Sequence, residues 1–200
     1  MAEPIPVQES GRAISLRQKH IVDVLIEERA PQLASHWSWP LLRTMLNSVL
    51  GYGAAIRLAD AIAPMKGEDA LNYVSDLLAV KLKIEGVENI PASGRCIVVS
   101  NHPTGITDGV ALYDALRPIR PDVCFFANAD AHRVAPGFHD NLIPVEWVLD
   151  KRTPGKTRDT LRAAIKALQD ERPLAIFPAG RLARKNNGRL VDPEWSNTCA

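Results

Sequence analysis

At Val80 the hydrophobic pattern of this chain changes period. Before it, from Leu16 to about Ala79, apolar residues recur at helical spacing: Ile21, Val24 and Leu25, then Leu41, Leu42, Met45, Leu46, Val49 and Leu50, then Ala55 to Ala63, then Leu71, Val74, Leu77 and Leu78. Steps of three and four put such residues on one helix face. Pro31, Gly51 and Pro64 mark helix ends within the run. After it, Val80, Leu82 and Ile84 alternate with Lys81, Lys83 and Glu85, the pattern of a half-exposed strand. Apolar runs at Cys96–Ser100, Val123–Ala127, Asn141–Trp147 and Leu174–Phe177 then alternate with helical stretches at Asp108–Leu116 and Thr157–Leu168. Strands alternating with helices predict an α/β fold, a mixed sheet covered by helices, over residues 80–200. Residues 1–79 form an N-terminal helical extension whose first 14 or so residues, polar with Pro and Gly, fray.

Several finer expectations follow. Cys96–Ser100 is continuously apolar and fits a central strand buried on both faces. Pro144 puts its strand at a bend or an edge. Leu161, Ala164, Ile165 and Leu168 form the inward face of their helix.

Composition removes whole classes of function. The chain has 200 residues, enough for one domain core, and a formal net charge of +1 gives no nucleic-acid footprint. Cys96, Cys124 and Cys199 are widely spaced, with no CxxC pair, so neither a disulfide framework nor a metal site is expected. Cys96 and Cys124 read as core thiols of a reducing compartment. The opening residues lack a basic end followed by an apolar run, so no signal peptide is read there. No window approaches the roughly 18 apolar residues of a membrane span, so the protein is expected to be soluble or to rest on a membrane.

The chemistry gathers in Asn101–His102–Pro103–Thr104–Gly105–Ile106–Thr107–Asp108, directly after the Cys96 strand. Loops at the carboxyl ends of such strands are where α/β proteins place ligands. Imidazole accepts a proton near neutral pH, and a carboxylate on its second nitrogen fixes the tautomer and stabilises the imidazolium. Five residues separate His102 from Asp108, a gap that a turn closes, and Gly105 gives that turn conformational freedom. No Ser or Cys sits in a nucleophile elbow, which favours direct attack by a substrate hydroxyl over an acyl-enzyme.

A second segment, Phe177–Pro178–Ala179–Gly180–Arg181, follows another apolar run roughly 70 residues later. Together the two segments resemble the glycerolipid acyltransferase superfamily, the group containing 1-acylglycerol-3-phosphate acyltransferases, over about residues 80–195. In that family an Asn-His-x4-Asp motif carries the catalytic base and a Phe-Pro-Glu-Gly motif binds the acceptor. Five residues in place of four, and Ala179 in place of Glu, are like the hemolysin-related branch, which includes ornithine-lipid acyltransferases. A third family motif is matched by Val145–Arg152, and the fourth is missing, which implies that the domain lacks the C-terminal part of the family domain.

The resemblance implies an O-acyltransferase of lipid biosynthesis and phospholipid metabolism. His102 and Asp108 would be catalytic, with His102 as general base. Arg152, Gly180 and Arg181 would bind the acceptor, and Asn101 and Gly105, or an amide at Gly180, would face the oxyanion. Acyl-CoA or acyl carrier protein would be the donor and a lysolipid, lysophosphatidic acid or lyso-ornithine lipid, the acceptor, with no other cofactor. The protein would be cytoplasmic and peripheral on the inner face of the membrane. Two rival readings are a thioester hydrolase that uses His102 on water and a catalytically silent lipid-binding module.

The remaining candidates read more blandly. His20 and His36 belong to the helical extension; His132 and His139 lie in a loop placed to line the pocket. None has the His or Glu spacing of a zinc helix. Trp37 and Trp39 beside Pro40 fit core packing, or an interfacial anchor for a membrane-resting extension. The basic stretches Lys151–Lys156 and Arg181–Arg189 read as solvated loops or as contacts to anionic lipid, phosphopantetheine or an acidic carrier.

Overall fold

The computed structural model describes residues 19–49, 51–146 and 148–195. The N-terminal residues expected to fray, Leu16, Leu50, Trp147 and Cys199 lie outside that set. Helices fill the first part as the spacing predicts: α1 (Ile21–Arg29), α2 (Pro31–Ala34), α3 (Trp39–Val49), α4 (Tyr52–Ile62) and α5 (Gly67–Leu78). Pro31 separates two helices by opening the second, where its missing N–H costs nothing. Trp39 packs into the core, whereas Trp37 is 87% exposed. α5 buries Ala70, Leu71, Val74 and Ser75 and leaves Leu77 and Leu78 exposed past its packed turns.

Beyond residue 80 the chain builds β1 (Cys96–Val99), α6 (Ile106–Leu116), β2 (Cys124–Asn128), α7 (Asp130–Val134), β3 (Leu142–Val145), α8 (Pro154–Gln169) and β4 (Pro173–Ile176). The four strands run parallel in the order β1-β4-β2-β3. Adjacent residues on a strand point to opposite faces, so each strand feeds two cores. Phe125 and Ala175 meet α5 and α6 through Leu71, Val74, Val110, Tyr113 and Leu116. Cys124, Ile143 and Leu174 meet α8 through Ala164 and Ala167. The expected α/β class, a sheet covered by helices, holds. Pro144 lies on β3, an edge strand, where a missing N–H is tolerated.

Four expectations are corrected. Residues 80–86 form no strand; no strand pairs with them, and alternation alone cannot make a ladder. β1 is not central but the other edge of the described sheet. Val98 packs into the core while Ile97 and Val99 are 59% and 51% exposed, because α8 rests mainly on β3 and β4. α8 keeps only half of its expected face: Ala164 is buried and Leu168 packs beside it, but Leu161 and Ile165 are exposed and Ala167 is buried instead, since small residues let the helix lie close to the sheet. Within the stretch expected as a basic loop, β5 (Arg184–Asn186) and β6 (Arg189–Val191) form an antiparallel hairpin. Its turn is Asn187–Gly188, both at positive φ, the pairing that two-residue hairpins favour.

Candidate active site

The two motif segments meet because of strand order. β1 and β4, distant in sequence, are parallel neighbours with Cys96 opposite Pro173 and Val99 opposite Ile176. Their carboxyl ends therefore open side by side on one rim of the sheet. Ser100 N–H carries the ladder one step further, donating to the Ile176 carbonyl at 3.1 Å. The loop after β1 is thus laid against the turn after β4.

His102 sits at that junction with 22% of its side chain exposed. Its ring stacks on Phe177, with centroids 4.4 Å apart and planes inclined by 23°. Nδ1 lies 3.0 Å from Asp108 Oδ2. Nδ1 is buried, and its N–H direction misses the line to the carboxylate, so the pair is in electrostatic contact without a formed hydrogen bond. Catalytic hydrogen bonds are commonly looser in the free enzyme and tighten with substrate. Nε2 has no partner among the described residues.

The carboxylate is held from the other side. Asp108 is the third residue of α6, and Gly105 precedes that helix at φ 90° and ψ −124°, a backbone region that glycine alone adopts freely. That turn folds the five intervening residues back on themselves. Asp108 Oδ2 accepts the Thr104 N–H at 2.7 Å and the Gly105 N–H at 2.9 Å, while the Thr104 hydroxyl donates to Oδ1. Burial pushes the Asp108 carboxyl up, but the Thr104 hydroxyl, the two backbone N–H groups and the nearby His102 outweigh it, and the carboxyl sits below its ordinary value of 3.8. It is therefore a fixed anion beside an imidazole, arranged to orient the ring and to stabilise an imidazolium.

Residues 81–197 match the acyltransferase family model. The chain belongs to the acyltransferase family. It is 32% identical over 136 residues to a lyso-glycine lipid O-acyltransferase of Phocaeicola vulgatus, covering 66% of this chain and 46% of that protein. It is equally 32% identical over 133 residues to a lyso-glycine lipid O-acyltransferase of Bacteroides thetaiotaomicron, covering 66% of this chain and 47% of that one. The chain thus spans about half the length of these curated relatives. No solved structure matches it. The expected place in the glycerolipid acyltransferase superfamily holds.

In this member of the acyltransferase family the other expected residues are spread along the same rim. Gly180, at φ 59°, turns the chain after Phe177, and its N–H donates to the Phe177 carbonyl at 2.9 Å. The Gly105 N–H is likewise engaged with Asp108. Both glycine amides expected to face an oxyanion are therefore held inside the protein in this state. Asn101 is exposed beside His102; its Oδ1 accepts from the Ser100 hydroxyl at 3.4 Å, and its Nδ2 has no partner among the described residues. Arg181 is exposed and likewise without a partner among them. Arg152 follows β3, three strand spacings or roughly 14 Å from β1. Its Nε donates to the Glu146 carbonyl, and it borders a shallow depression with Pro154, Arg158 and Leu161. No hydrogen bond or ion pair joins Arg152 to His102 or Asp108.

His132 lies on α7, not in a loop, and is bonded to the Leu142 carbonyl at 3.0 Å; His139 lies in a short 3-10 turn (Pro136–Asp140) and is bonded to the Pro136 carbonyl at 2.7 Å, so both serve local structure. Among the described residues no three His, Cys, Asp or Glu side chains gather as a metal site, and no helix is long and apolar enough to cross a membrane. Sequence reading missed Thr104 and Asp192. Thr104 lay in plain view inside the motif. Asp192, whose Oδ1 accepts the His102 N–H at 3.3 Å, carried no signal of its own.

Proposed function

We propose that the chain carries out O-acyl transfer from a thioester donor, acyl-CoA or acyl carrier protein, to the hydroxyl of a lysolipid. The observation that carries this reading is the His102–Asp108 contact, with the carboxylate held by Thr104 and Gly105 and the ring backed by Phe177. Once that contact closes into a hydrogen bond with substrate bound, Asp108 holds the proton of the imidazole on Nδ1 and leaves Nε2 to accept one. Nε2 takes the proton of the acceptor hydroxyl as its oxygen attacks the thioester carbonyl. The C–S bond breaks, and the imidazolium returns the proton to the departing thiolate, giving an ester and a free thiol. The Asn101 amide, exposed next to His102 and with its Nδ2 unpartnered among the described residues, would donate to the oxyanion.

The acceptor is a lysolipid with an anionic head. The unpaired Arg181 suits a carboxylate or phosphate, as guanidinium pairs with either through two N–H groups. Both relatives are named for a lyso-glycine lipid, and an amino-acid lysolipid is the acceptor class we favour over lysophosphatidic acid. Arg152, further along the rim, would meet a more distant part of such a molecule. The enzyme would meet these acceptors at a membrane surface, as a peripheral protein on the inner face.

Purified protein should esterify lyso-glycine or lyso-ornithine lipid with acyl-CoA or acyl carrier protein, measured by mass spectrometry. His102→Ala should lower kcat by roughly 10²–10⁴-fold, the usual worth of a general base. An unchanged rate would remove His102 from the mechanism. Thioester consumption at the same rate without acceptor would make the protein a hydrolase instead.

A further inference from the structure

The chain that leaves β4 returns to His102 twice. The Ala183 N–H donates to the His102 carbonyl at 2.9 Å. Nine residues on, beyond the β5–β6 hairpin, Asp192 Oδ1 accepts the His102 N–H at 3.3 Å. The other Asp192 oxygen accepts from Trp195 Nε1 at 3.4 Å, which orients the carboxylate. The backbone of His102 is thus gripped at both its N–H and its carbonyl by the two ends of one strap, while Phe177 and Asp108 hold the ring.

We infer that Asp192 is a positioning residue for His102, and that the segment from Ala183 to Asp192 is a strap that sets the catalytic loop. This rests on the reading of His102 as the base. His102 follows an edge strand and lies outside the ladder, so its N–H must find a partner elsewhere. A carboxylate makes a charge-assisted bond, stronger than a neutral carbonyl would make. The dependence is mutual. A lone two-stranded hairpin is marginal in water, and every residue of β5 and β6 is exposed, so the hairpin is held through its ends.

The test compares Asp192→Ala with Asp192→Asn in the full chain. Displacing a catalytic group by about 1 Å costs on the order of 100-fold. Asp192→Ala should therefore lower kcat by roughly 10–100-fold, with KM for donor and acceptor nearly unchanged. Asp192→Asn keeps an oxygen for the His102 N–H and should recover most of the loss. Independently of activity, the His102 backbone amide, assigned by selective ¹⁵N-histidine labelling, should move upfield in Asp192→Ala and less so in Asp192→Asn. If Asp192→Ala does not fold, the Asp192→Asn amide shift against wild type decides. Wild-type kcat with an unmoved amide in Asp192→Ala would overturn the inference. So would Asp192→Asn as impaired as Asp192→Ala with KM raised in step, since the charge would then serve substrate. If His102→Ala leaves acyl transfer intact, the base reading fails while the amide shift still reports whether Asp192 holds His102.

Discussion

Phe177 lies almost flat against His102, with ring centroids 4.4 Å apart. The residue that opens the second motif is thus the wall on which the residue central to the first one rests. Aromatic pairs of this kind contribute about 0.5–1.5 kcal/mol beyond simple burial. The ring also blocks one face of the imidazole, so that rotation about its side-chain bonds is confined to the orientation in which Nδ1 meets Asp108. Phe177→Ala should free that rotation and lower kcat about tenfold with little change in KM. Phe177→Tyr, which keeps the flat wall, should retain most activity. Steady-state kinetics on the pair decides the matter; equal kcat in wild type and Phe177→Ala removes the wall from the mechanism.

Asp108 links the site to acid stability. Its carboxyl is held below 3.8, so the native state favours the anion more than the unfolded chain does. The stability that it contributes is fully present above 3.8 and is lost as pH falls through the lower native value. Asp108→Asn should lower Tm at neutral pH, and the gap to wild type should close at pH values below that window. Activity should fall more steeply, by roughly two to four orders of magnitude, because an amide cannot stabilise the imidazolium. Thermal melts of both proteins from neutral to strongly acid pH provide the check. A gap that stays constant with pH would mean that Asp108 acts by packing alone.

Much of this site is legible in the sequence. His102, Asp108 and Gly105 lie within one loop, and a glycine in such a loop announces a turn tight enough to close a five-residue gap. The adjacency of Phe177 and His102 was not legible from spacing, since nothing local in either strand specifies that β4 inserts between β1 and β2. It entered only through resemblance. Nor does β1, whose unbroken apolar run reads like a buried strand, declare that no described strand pairs on its other side. α8 shows another limit: Leu161 and Ile165 carry the larger hydrophobicity, yet Ala164 and Ala167 face the sheet, because fit at close approach outweighs transfer energy at that contact. The hairpin did leave a signal in Asn187–Gly188, masked by the charges around it.

Gly105 should tolerate no side chain, and the reason is backbone rather than space. An added Cβ would meet Leu182 Cδ2 at 3.5 Å, an ordinary contact. The backbone at φ 90° and ψ −124° is the obstacle, and holding an L-residue there costs about 1–3 kcal/mol. The Gly105 N–H also anchors Asp108, so relief of the strain would loosen the carboxylate. Gly105→Ala should therefore lower both Tm and kcat, whereas Gly109→Ala, inside α6 with open space at its Cβ, should be neutral or stabilising. Parallel melts and kinetics on these two variants separate backbone strain from loss of glycine as such.

The first helix of the extension, α1, is tied to the acyltransferase domain by ions, whereas α5 packs into the core. Glu28 on α1 receives both terminal nitrogens of Arg133, at 2.9 and 2.8 Å, and Lys151 Nζ at 3.1 Å. Arg29 beside it pairs with Asp130. The hydrogen bonds from Arg133 and then Lys151 take the Glu28 carboxyl from 4.5 down to about 2. A carboxyl depressed in the native state stabilises it above its unfolded pKa and ceases to do so as pH falls through the native one, here between about 4.5 and 2. Amide hydrogen exchange over Ile21–Arg29 should therefore accelerate as pH is lowered through that window, relative to α6 in the same molecule, after correction for intrinsic rates. Glu28→Gln should show the faster exchange already at neutral pH and lose the acid dependence. Salt near 1 M, where the screening length is about 3 Å, should reproduce part of the effect in wild type. Exchange in α1 that is indifferent to both Glu28→Gln and acid would mean that apolar packing, not this cluster, docks that helix.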